Sequence, residues 1–134
     1  MRTLGHPRRG ANAAEFSILL PVILALTFGA IDYSWYFLAI NAVQSAAMDS
    51  ARVGAQTPFE DGADPASAAI TAAETRLSLL YPNGTVDSNI SATEDGSYID
   101  VEIEVAFDPI IGFFPTPTNI NASAHCALEF EPEA

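Results

Sequence analysis

The side chains able to do chemistry are few and scattered. A single cysteine, Cys126, excludes an intramolecular disulfide and any paired-thiol zinc or redox site. The two histidines, His6 and His125, are far apart, and no Ser-His-Asp set, glycine-rich phosphate loop or HExxH motif is present. His125 adjoins Cys126, but neighbouring strand residues face opposite ways, so the pair reads as a core thiol beside a surface imidazole. Asp100, Glu102 and Glu104 form an acidic ladder that reads as a solvated face, since no EF-hand spacing supports calcium. No catalytic, cofactor or metal site emerges, and an enzyme is not expected.

One arrangement stands apart: Arg8-Arg9-Gly10-Ala11-Asn12-Ala13-Ala14-Glu15-Phe16, a basic leader ending in glycine, with one acid at the mouth of an apolar run. A lone carboxylate there hinders simple membrane insertion. Cutting the chain after Gly10 gives it a purpose. The cut frees an ammonium on Ala11, and Glu15 can pair with the new amine of a neighbouring subunit. Two half-buried charges then neutralise each other where either alone is expensive.

These residues must be positioned by a membrane helix. Phe16 to Ile31 carries no charge, and after Asp32 the chain is again uncharged to Met48. The first run spans about 24 Å as a helix, short of the roughly 30 Å hydrocarbon core. Asp32 must therefore snorkel at the far interface or face protein rather than lipid. Tyr33, Trp35, Tyr36 and Phe37 cluster there as interfacial aromatics do. Pro21 is either a tolerated loss of one hydrogen bond or a loosened turn used in subunit packing. A cleavable secretory signal has a shorter apolar stretch and a small-x-small site; an uncleaved signal anchor is the remaining alternative.

Composition agrees. The 134 residues hold 5 Lys+Arg against 17 Asp+Glu, a formal charge of -12, which argues against nucleic-acid binding. All five basic residues are arginine, and Arg2, Arg8 and Arg9 lie ahead of the apolar run. That asymmetry puts the N-terminus in the cytoplasm and the bulk of the chain outside.

The order of these features resembles type IVb prepilins, and more narrowly the TadE-like pseudopilins of the tight-adherence pilus. The features are Arg-Arg-Gly, a small-residue stretch, Glu15-Phe16, an apolar run with Pro21, the acidic-aromatic step Asp32-Tyr33, and an Ala-rich segment from Gln44 to Arg52. Trp35 is a departure, near a place where relatives often carry a basic residue. The resemblance implies a processing site at Gly10, Ala11, Glu15 and Phe16, and subunit packing through Glu15, Pro21 and Asp32. It further implies three partners: a prepilin peptidase, other pilin or pseudopilin subunits with their assembly machinery, and the bacterial inner membrane.

Beyond the membrane the helix is expected to run to about Gln56, its Ala42, Ala46, Ala47 and Ala51 making a lean surface for close packing. Thr57-Pro58 and Asp61-Gly62 break it. Asp64-Pro65 reads as a cap and first-turn proline for a second helix, with Ile70, Ala73, Leu77 and Leu80 on its apolar face and Pro82-Asn83-Gly84 as its stop. A short strand is expected over 85–90, with a turn at Glu94-Asp95-Gly96. A clear one follows over 98–107, with Ile99, Val101, Ile103, Val105 and Phe107 inward. A last strand aligns Ile120, Ala122, Ala124, Cys126, Leu128 and Phe130. Between these two lies Pro109–Thr118, whose Ile110, Ile111, Phe113 and Phe114 are too apolar to leave wet. That loop either folds back over the sheet or serves a partner: another subunit, the filament, or the outer leaflet at the anchor.

The expected fold is therefore α+β: a long N-terminal transmembrane helix, a second helix and an antiparallel sheet of two to three strands. The expected division is a leader over 1–10, the helix over 11–56 and a small extracytoplasmic domain over 57–134. The expected function is that of a minor pilin cleaved by a prepilin peptidase and taking part in pilus assembly for surface attachment. The alternative is an uncleaved, signal-anchored binding or sensor domain.

Overall fold

The computed structural model describes residues 9–58, 63–80 and 88–129, without the side chains of 9–11 and 80. The leader over 1–8, the breaks at Asp61-Gly62 and Pro82–Gly84, and Phe130 lie outside the described residues.

Helix α1 runs from Arg9 to Ala55, 47 residues that pass unbroken through Pro21, about 70 Å at 1.5 Å per residue. Its hydroxyls turn inward on the helix itself: Ser17 donates to the Ala13 carbonyl, Thr27 to Ile23 and Ser34 to Ala30, at 2.6–2.8 Å. Polar groups satisfied in this way are tolerated in hydrocarbon. Helix α2 spans Pro65–Leu80. As the sequence predicts, Asp64 caps it, its carboxylate accepting the amides of Ala66 at 3.1 Å and Ser67 at 3.3 Å.

Three antiparallel strands follow in the order β1-β2-β3: Ser88–Glu94, Tyr98–Ala106 and Asn119–Ala127. The β1–β2 turn uses Gly96 at φ 62°, a left-handed conformation that glycine adopts without penalty. Of the strand expected over 85–90, residues 85–87 lie outside the described residues, and 88–90 open β1, which runs on to Glu94. Its alternation is weak to the eye because only Ile90 and Ala92 among its inward residues are apolar, and Glu94 belongs to the strand rather than to the turn.

Both helices pack on one face of the sheet, α1 over β3 and β2, and α2 over β1 and β2. Val43, Ala46, Ala47 and Ala51 of α1 meet Ala69, Ala73 and Leu77 of α2 above Ile99, Val101, Ile103 and Val105 of β2 and Phe107 just past its end. Each fully buried branched side chain there contributes about 1.5–3 kcal/mol. Small residues at the crossing bring the backbones close. A methyl on Gly54 would strike the Ile99 side chain, stand 2.9 Å from the Pro65 carbonyl oxygen and 3.0 Å from the Ala69 Cβ. The other sheet face is polar and wet: Asp100 pairs with His125 and Thr93, Glu102 with Ser123 and Ser91. His125 is exposed and Cys126 half-buried on the opposite face, as alternation requires.

Candidate functional site

The two halves of α1 live in different surroundings. From Asn12 to Leu24 every residue is exposed, Ile18 at 74% and Leu26, just beyond, at 68%. From Ala39 onward one side of the same helix is core. Over Asn12–Ala55 it is long and apolar enough to cross a membrane, and its most apolar window is not buried by the chain at all. A free apolar helix of this kind is stable only in lipid or among other helices.

Gly10 and Ala11 lie in the first turn of α1. Glu15 and Phe16 follow on the exposed stretch, the phenyl ring 58% accessible. Among the described residues the single ion pair joins Arg76 to Asp49 at 3.3 Å, linking α2 to α1. Glu15 takes no part in it. Pro21 sits midway along the free stretch, exposed.

Asp32 faces protein, the second of the two courses open to it. It is fully buried, and its carboxylate oxygens accept the backbone amides of Ile111 at 2.9 Å and Gly112 at 3.1 Å. Hydrogen bonds to an ionised acceptor are about twice as strong as neutral ones. Successive amides point at one carboxylate because Gly112 holds φ at 68°. A side chain at 112 has room, the nearest atom being Pro109 Cγ at 3.7 Å, so the requirement for glycine is conformational.

The rest of the loop follows this clasp. Phe114 lies over Gly29, where an added Cβ would come within 2.8 Å of the ring. Phe113 meets Phe28 edge to face at 6.5 Å, and the Tyr33 hydroxyl donates to the Pro115 carbonyl at 3.2 Å. Tyr36 closes the seam against Phe107 at 5.2 Å. Gly29, Asp32, Tyr33 and Tyr36 recur at helical spacing and so share one face.

The loop thus folds back onto α1, and the sheet is not what it covers. Phe114 is half-buried, while Ile110 at 63%, Ile111 at 40% and Phe113 at 61% stay exposed. Sequence reasoning named every residue of this loop and named Asp32, but did not join them. The signal available was the spacing of Gly29, Asp32 and Tyr33 with a proline-bounded loop containing one glycine.

An apolar helix thus stands free in its first half and packs under a small α+β head in its second. Residues 10–52 match the family described as TadE-like protein. The match runs from Gly10 to Arg52 and so contains Glu15, Pro21 and Asp32. No curated protein and no solved structure matches the chain.

Proposed function

We propose that the chain is a minor pilin of a tight-adherence pilus used for surface attachment. It enters the bacterial inner membrane with its N-terminus in the cytoplasm and its acidic head outside. A prepilin peptidase cuts it after Gly10. The free half of α1 then leaves lipid for a bundle of like helices, where Glu15 meets the new Ala11 ammonium of a neighbouring subunit. Pro21 loosens the helix for that packing. The head of this size favours a minor component over the main shaft, whose pilins are much shorter.

The observation that carries the reading is Glu15 itself. It lies exposed at the head of a stretch uncharged from Phe16 to Ile31, outside the ion pair found among the described residues. An acid held there needs a cation from elsewhere, and the cut supplies one. The test is intact mass after expression with and without a prepilin peptidase. Residues 1–10 are lost only with the enzyme, and a Gly10→Leu variant keeps them. An unchanged mass in both strains contradicts the proposal and favours the uncleaved anchored domain.

A further inference from the structure

The loop clasped by Asp32 leaves Ile110, Ile111 and Phe113 facing outward from the far end of the membrane helix. We infer that these three side chains form a second membrane contact, seated in the outer leaflet of the bilayer that α1 spans. The inference rests on α1 being a membrane span and not on cleavage after Gly10.

Three observations single out lipid as the occupant. The first is continuity. Phe113 packs on Phe28 and Ile110 lines a groove with Ala30, Ile31 and Trp35, so the exposed loop extends the apolar skin of the helix without a gap. The second is charge. From Pro109 to Leu128 there is no Asp, Glu, Lys or Arg, in a chain that carries 17 acids. Acidic side chains are repelled by anionic lipid surfaces, and this stretch has none.

The third is the loop's backbone. Irregular chain is costly near hydrocarbon because its amides lack partners. Here that cost is halved: of the ten positions from Pro109 to Thr118, Pro109, Pro115 and Pro117 have no amide to satisfy, and those of Ile111 and Gly112 are taken by Asp32. The same clasp shields the acid that otherwise ends the apolar run. The exposed side of α1 continues past it through Phe37 and Leu38, each 60% accessible. Phe16 to Leu38 spans about 34 Å, enough for a roughly 30 Å core. The run that is too short by itself is completed at the level where the loop sits.

Doxyl-lipid quenching tests this on the full-length chain in phosphatidylethanolamine–phosphatidylglycerol vesicles. A Cys126→Ser background carries one new cysteine at a time, Leu24→Cys, Ile110→Cys, Phe113→Cys or Ser123→Cys, each labelled with an environment-sensitive fluorophore. Labels at 110 and 113 are expected to be quenched by lipid to the same fraction as the label at 24, while that at 123 is unquenched. Using both 110 and 113 guards against a label that itself dislodges the loop. Unquenched 110 and 113 beside a quenched 24 overturn the inference, and aqueous iodide then shows whether water or a second copy covers the loop. An unquenched 24 overturns the membrane-span reading beneath it.

Discussion

Asp32 shows how one side chain can resolve a conflict set by its neighbours. An ionised group between two apolar runs is costly unless protein satisfies it, and the chain satisfies it with two amides of its own loop. Removing the carboxylate leaves those donors unpaired, at about 1–3 kcal/mol. Asp32→Ala is therefore expected to speed amide exchange at Ile111 and Gly112 by roughly tenfold to a hundredfold, with Val101 and Ile103 in the sheet little changed. Unaltered exchange at 111 and 112 contradicts the clasp. The sequence made Asp32 legible as a problem, because a charge interrupting an apolar run is visible in one dimension. Its solution was not legible, since the partner lies some eighty positions away and contributes backbone rather than a recognisable side chain.

At the scale of elements, what was legible followed the strength of local pattern. Helix α2 was readable from Asp64-Pro65, and β2 from strict alternation, because cap chemistry and period-two burial are local. Strand β1 was only partly read, because polar Ser88 and Glu94 share its inward face with Ile90 and Ala92 and blur the alternation. The lean surface of α1 was legible as a close-packing face, and Ala46, Ala47, Ala51 and Gly54 meet α2 and the sheet. Gly54 tests that contact. On an exposed helix Gly→Ala gains about 1 kcal/mol, whereas overpacking costs about 1–3 kcal/mol. The Pro65 carbonyl 2.9 Å from the added methyl is backbone and cannot step aside cheaply. Gly54→Ala is therefore expected to lower the denaturation midpoint of the head, and a raised midpoint contradicts this packing.

For the whole molecule, the division of labour along α1 organises everything else. One half is core to a small head whose sheet turns a polar, acidic face to water; the other half is apolar surface with one acid near its start. A head of this size is marginal alone, and the buried half of the helix gives it the third side of its core. That sharing ties the head to the helix, so that under the proposed function a helix entering a filament carries the head with it. The claim most exposed to experiment is that Glu15 serves assembly and not insertion or processing. Its most direct measurement compares sheared pili from cells producing the natural chain or Glu15→Ala, each with prepilin peptidase present. The account predicts that both chains are cut to begin at Ala11, but that only the natural one is recovered with pili, the variant staying in the membrane. Equal recovery of the two in the pilus fraction contradicts it.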